Sequence, residues 1–227
     1  TPESQQLTQM MADAYNPMGL TVYHGSPYKF NAFAPKSIGS GEGAQAYGYG
    51  HYLAESKGLG QSYANKLTQV DGRSISDQLD SRVRYLNDLK AQADSGDVNA
   101  LKNIPVIQKS IDDLQNQGSL YKIDLPDDQI AKMLDWDAEI GKQTPEVQAL
   151  AKQFGINADD LGGDLVAAMG AKKAAGAEQM RLGGIPGIRY YDAQSRGGQR
   201  ADTRNFVVFP QNEGLLNILE RNGVPLK

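Results

Sequence analysis

The chain contains two histidines, His24 and His51, and no cysteine. That inventory removes disulfides, thiolate metal sites and a cysteine nucleophile, and two imidazoles argue against a histidine-rich metal centre. His24 closes a strand-like run, LTVYHGS, and is followed at once by Gly25 and Ser26. An imidazole, a residue without a side chain and a hydroxyl offer an acid–base group, close backbone approach and a hydrogen-bonding tip. Taken alone, the triplet is also what an ordinary strand end and turn would look like. Tyr52 lies in GHYLAES, and Tyr63 follows eleven residues later. Tyrosine faces hold flat rings and attract cations, although isolated tyrosines are ordinarily core residues. Strand alternation puts His24 and Ser26 on one face and sets His51 on the face opposite Tyr52, so His51 reads as structural.

The elements that must position these groups are legible in outline. LTVYHGS (20–26) has the β-branched and aromatic content of a strand, and HYLAES reads as a short buried one. Between them lies KSIGSGEGAQAYGYG, too rich in glycine for a helix interior or a regular strand. SKGLGQSYANKL reads as a helix capped by Ser56, with Glu55 favouring its N-terminus. Apolar residues at Ile75, Leu79, Val83, Leu86 and Leu89 recur by threes and fours, the signature of an amphipathic helix. A second helix, with Pro105 near its start, follows, and the two read as a hairpin inserted over about 72–118. SLYKIDLP is a strand by alternation, residues 127–181 read as helical and charged, and GIPGIRYYD and RNFVVF return to strands. GLLNILERNG reads as a final strand or short helix. This order of strands, helices and strands predicts an α+β fold with antiparallel pairing. Residues 1–19 read as a polar helix and linker, and 20–227 as one domain with helical insertions at about 72–118 and 127–181.

Bulk properties set limits. The net charge is −4, the pI is about 5.2 and the mean hydropathy is −0.51. There is no overall basic footprint for nucleic acid. No apolar run is long enough for a membrane span, and the N-terminus lacks a basic start and apolar core, so it does not read as a signal peptide. Because the chain begins with Thr, it reads as a piece of a longer protein.

Taken together, HGS, GHYLAES, Tyr63 and NFVVF form an ordered set. It resembles the ADP-ribosyltransferase family, in the branch of diphtheria toxin and the poly(ADP-ribose) polymerases. There the pattern runs H-G-[ST], G-x-Y-[FL]-A-[DE], a second Tyr eleven residues on, and E-[YF]-[IV]-V-[YF]. GEGAQAYGYGHYLAE, LYKIDLPDDQIAKMLDWD, GIPGIRYYDAQSRG and TRNFVVFP are more closely similar to ADP-ribosyltransferase-like domains of phage and prophage proteins. The resemblance covers roughly residues 20–220 and implies split antiparallel β-sheets around an NAD cleft, with a helical insertion. It implies that His24 bonds the adenosine ribose, that Gly25 and Ser26 hold the nicotinamide carboxamide, and that Tyr52 and Tyr63 sandwich the nicotinamide ring. Gln45 and Glu42 would lie beside the cleft. NAD is the implied co-substrate, without a metal.

The set departs from the pattern at one position. Where the family has glutamate before the [YF]-[IV]-V run, this chain has Asn205. Asparagine makes a hydrogen bond but supplies no charge to an oxocarbenium-like transition state. Chain-extending polymerisation is therefore not expected, while mono-ADP-ribosylation, NAD hydrolysis and a silent binding module stay open. Glu213, Glu42 and Asp192 are candidates for a compensating carboxylate. His24, Tyr52, Asn205 and Glu213 are thus the catalytic candidates; His24, Gly25, Ser26, Gln45, Tyr52, Tyr63 and Arg196 are those for holding NAD. Arg189, Arg196, Arg200 and Arg204 read either as a solvated loop paired with Asp192 and Asp202 or as contacts to a pyrophosphate or anionic acceptor. The resemblance implies a bacterial or phage effector, delivered to a bacterial cytoplasm by a secretion system or phage particle. It also implies a macromolecular acceptor and an immunity protein as partners, without a membrane. The acidic balance points to protein more than nucleic acid as acceptor.

Overall fold

The structure is a computed structural model, and it describes residues 19–38, 45–115, 117–192, 195 and 203–226. The expectations for residues 1–18, Glu42, Arg196, Arg200 and Asp202 lie outside the described residues. Ten strands and seven α-helices are described. The strands are β1 (Leu20–Ser26), β2 (His51–Ala54), β3 (Gln69–Val70), β4 (Arg73–Ser74), β5 (Ser119–Leu125), β6 (Leu134–Asp135), β7 (Gly187–Tyr191), β8 (Arg204–Val208), β9 (Asn217–Arg221) and β10 (Val224–Pro225). The helices are α1 (Lys57–Leu67), α2 (Ile75–Asp94), α3 (Val98–Gln115), α4 (Asp127–Ile130), α5 (Pro145–Gln153), α6 (Gly162–Ala168) and α7 (Ala174–Leu182).

Eight strands form one mixed sheet in the order β10-β9-β5-β1-β2-β8-β7-β6. Its middle is a seam. β1 pairs with β5 along all seven residues from Leu20 to Ser26, and β2 pairs with β8 from His51 to Ala54. β1 and β2 meet at a single register pair, Tyr23↔Ala54. Two half-sheets are therefore hinged at one point, and one core runs across both while a second packs on the β7–β8 side. Val22, Phe33, Leu53, Tyr121, Ile123 and Phe206 pack in one cluster. Ile188, Tyr190, Val207 and Phe209 pack with the side chains of α5, α6 and α7 in the other.

Several expectations are corrected. Residues 127–181 are not helical throughout: Leu134 and Asp135 form β6, which pairs parallel to β7. Parallel neighbours need a long crossover, and the chain through α5, α6 and α7 supplies it. The sheet is accordingly mixed rather than wholly antiparallel. The stripe assigned to α2 is rotated. Ile75, Leu79, Leu86 and Leu89 are buried, but Val83 is exposed and Gln78 is buried instead. Gln78 is accommodated because its amide donates to the carbonyls of Val70 (2.6 Å) and Arg73 (3.3 Å). α2 and α3 pack as a hairpin around Ile75, Leu79, Leu86, Ile111 and Leu114. Pro105 lies inside α3, not near its start.

Candidate functional site

β1 and α1 approach closely because both are glycine at the contact. A Cβ on Gly25 would sit 2.2 Å from the Gly60 carbonyl oxygen and 2.4 Å from the Ala64 nitrogen. A Cβ on Gly60 would meet the Tyr23 Cβ at 2.8 Å. Ser56 caps α1 by accepting from the Leu59 N–H at 3.3 Å, which fixes where the helix begins. Tyr63 is thereby held over the end of β1. Where Glu55 was expected to favour the helix N-terminus, its carboxylate accepts the Arg204 N–H at 2.9 Å, tying β8 to the same corner.

At the seam these elements enclose a cavity of about 190 Å³. His24, Gly25, Ser26, Gln45, Tyr52, Tyr63 and Asn205 all line it. Among the described residues, no Lys, Arg, Asp or Glu lines it. Phe30, Phe33 and Tyr190 also form its wall, and the sequence reading passed over them. Strand alternation could have found Tyr190, which lies opposite Asn205 in the β7–β8 register. Phe33 comes from a connection without regular spacing and left no such signal.

His24 acts as a wedge in the seam. Its Nδ1 lies 2.8 Å from the Tyr52 carbonyl oxygen, where a β1–β2 ladder bond would otherwise form. A carbonyl only accepts, so Nδ1 carries the proton and Nε2 keeps its lone pair. Burial lowers the His24 pKa to about 4, against the opposing bond to Tyr52, and the imidazole is neutral at pH 7. It is thus a hydrogen-bond acceptor at Nε2.

Tyr52 presents its ring rather than its hydroxyl. The hydroxyl donates to the Gly48 carbonyl at 2.9 Å and accepts the Tyr47 and Gly48 N–H groups, each at 3.2 Å. Burial raises its pKa. The hydroxyl therefore has no capacity left for proton transfer, which narrows the expected catalytic part to the aromatic face. Among the described residues, no aromatic ring stacks on Tyr52 or Tyr63.

Asn205 is the unusual polar group. It is 7 % exposed, and its Oδ1 has no hydrogen-bond partner. A buried acceptor left empty costs free energy unless something fills it. Tyr190, whose hydroxyl pKa burial pushes far up, contacts the Asn205 side chain. Ser26 is buried, and its Oγ accepts the Tyr28 N–H at 3.1 Å.

Of the expected compensating carboxylates, Glu213 and Asp192 do not line the cavity, and Glu42 lies outside the described residues. Glu213 lies in a short helical turn after the chain reverses, and its Oε1 is 3.1 Å from Nε2 of His51. It does not line the cavity itself: where a direct catalytic contact was expected, its carboxylate instead pairs with His51, which does line the cavity. His51 is buried against Phe33, with ring centroids 5.1 Å apart, and burial lowers its pKa against the pull of Glu213. Asp192 accepts from the Ser195 N–H at 2.7 Å and from the Thr203 hydroxyl, closing a loop. Arg189 and Arg204 converge on Asp135, at 3.1 and 2.8 Å, and Arg204 lies over the Tyr191 ring. Neither lines the cavity.

Among the described residues, no group of three or more His, Cys, Asp or Glu side chains could hold a metal ion, and no helix is long and apolar enough to cross a membrane. Comparison of the chain with protein-family models, curated proteins and solved structures found no match.

Proposed function

We propose that this protein binds NAD⁺ in the seam cavity, cleaves it at the nicotinamide glycosidic bond and transfers ADP-ribose to a macromolecular acceptor. The observation that carries the reading is the orphaned Asn205 Oδ1 in a cavity that also holds a neutral His24. Two acceptors without charge suit the hydroxyls of a nucleoside. Tyr52 and Tyr63 suit the flat, cationic nicotinamide ring, for which an aromatic face is a good partner. Gly25 brings bare backbone to the point where β1 leaves β2, within reach of a carboxamide.

In the reaction, the bond from C1′ to the nicotinamide nitrogen breaks and its electron pair neutralises the ring. A lone pair on the acceptor forms the new bond to C1′, and the acceptor's proton passes to water. Asn205 would take a ribose hydroxyl bond and direct its carbonyl dipole toward the developing positive charge. A dipole stabilises that charge less than a carboxylate would, so turnover is slow and elongation into a polymer is not expected. By the sequence resemblance, we assign the protein to bacterial or phage effectors, with a protein acceptor in a bacterial cytoplasm. The absence of a carboxylate among the described cavity residues favours one second reading, an NAD-binding module without chemistry.

NAD⁺ labelled in its adenine half, incubated with the protein and a bacterial lysate, tests the proposal. A labelled macromolecular band on a denaturing gel, together with free nicotinamide, is the expected result. Nicotinamide without a band would make the protein a glycohydrolase. Binding without nicotinamide would leave the silent module.

A further inference from the structure

Two tyrosine hydroxyls, one on each half-sheet, hold the two irregular segments that contribute Tyr28 and Phe30, and Gln45 and Gly50, to the cavity wall. Tyr121 on β5 is fully buried and sits opposite His24 in the β1–β5 register. Its hydroxyl donates to the Tyr28 carbonyl at 3.0 Å and accepts the Phe30 N–H at 2.7 Å. The Phe30 ring stacks on the Tyr121 ring, centroids 4.1 Å apart and planes 19° apart. Across the seam, the Tyr52 hydroxyl serves the backbone of Tyr47 and Gly48 in the same way. The Tyr47 ring then stacks on Tyr190 at 3.8 Å, and Gln45, at φ +48°, lines the cavity. In both places a side chain satisfies loop amides that no strand reaches.

We infer that Tyr121 and Tyr52 are paired positioning residues whose hydroxyls fix the two cavity rims: Tyr121 holds Tyr28 and Phe30, which line the cavity, and Tyr52 holds Tyr47–Gly48, the stretch between the lining residues Gln45 and Gly50. Neither hydroxyl meets the ligand. Each is saturated by backbone, so its action on binding runs through the rim it holds. Tyr121 carries none of the roles assigned to the site above. The inference about ligand binding rests on the NAD⁺ reading; the clamping of the rims does not.

Tyr121→Phe and Tyr52→Phe keep the rings and remove only the hydroxyls. Amide hydrogen exchange on the intact chain, followed residue by residue, reads the clamps directly. In Tyr121→Phe the Phe30 amide is expected to exchange about tenfold faster, and in Tyr52→Phe the Tyr47 and Gly48 amides likewise, since a hydrogen bond is worth roughly that factor. Amides of the β5–β9 ladder serve as the internal control. Titration with NAD⁺ should show affinity lowered about tenfold in each variant. Unchanged exchange at those amides would overturn the clamps. Faster exchange with unchanged NAD⁺ affinity would reduce them to stabilising contacts and overturn the positioning role. Failure of the unsubstituted protein to bind NAD⁺ would instead overturn the proposed function, and the exchange rates would still decide the clamps.

Discussion

Asn205 and His24 each present an acceptor to the cavity, and both work without charge. Asn205→Glu would place a carboxylate where the orphaned Oδ1 now points. If a dipole limits the reaction, nicotinamide release should rise by about tenfold or more, since one charge in a dry site is worth several kcal/mol. An unchanged rate would remove Asn205 from the reacting centre. His24 also sets a pH dependence of stability. Its folded pKa of about 4 lies below the ordinary 6.5, so the unfolded chain binds more protons between those values. The stabilisation is complete above pH 6.5 and is lost as pH falls toward 4. By pH 5 the loss is on the order of 2 kcal/mol, and His51, shifted in the same direction, adds to it. Chemical denaturation at pH 7 and pH 5 checks this, and His24→Gln should flatten the slope.

At the scale of elements, α1 can carry Tyr63 to the seam because Gly25 and Gly60 let helix and strand touch. Gly25→Ala would force the Cβ into backbone of α1. We expect a cost of about 1–3 kcal/mol, the usual penalty for overpacking, and weaker nicotinamide stacking as Tyr63 moves. Gly58→Ala on the same helix meets nothing closer than 3.8 Å and should be neutral or slightly stabilising, as expected for glycine in a helix. Thermal unfolding of the two variants separates a steric cause from a general effect of added methyls. The local elements themselves were readable in the sequence. Val22 and Tyr23 in β1, the Ser56 cap and the apolar run of β8 each state a local preference that the structure keeps. β6 was not readable, since two residues give no periodicity and Leu134–Asp135 become a strand only by docking on β7. Val83 misled for a related reason. A buried polar residue, Gln78, took the inward position once Val70 and Arg73 offered carbonyls to it.

For the whole molecule, the α2–α3 hairpin has a core apart from the two that pack on the eight-stranded sheet. Leu86→Ala should cost about 2–5 kcal/mol yet leave nicotinamide release per folded molecule as it was. A parallel loss of activity would make the hairpin part of the site. Seven of the site candidates meet on one cavity; for six the spacing follows the strands and helix that carry them, while Gln45 comes from a connection between elements. The sequence could not place Glu213 or Asp192, whose positions depend on how the chain turns after β7 and β8. Nor could it show that Arg189 and Arg204 would meet on Asp135, a residue from a distant strand.

The central claim is that the seam holds NAD⁺ through uncharged acceptors and tyrosine faces. Calorimetric titration of NAD⁺ into the protein and into His24→Ala measures it most directly. The account requires saturable binding by the unsubstituted chain and an affinity at least about fivefold lower in the variant, the loss expected for one buried hydrogen bond. No binding by the unsubstituted chain, or equal affinity in the two, would contradict it.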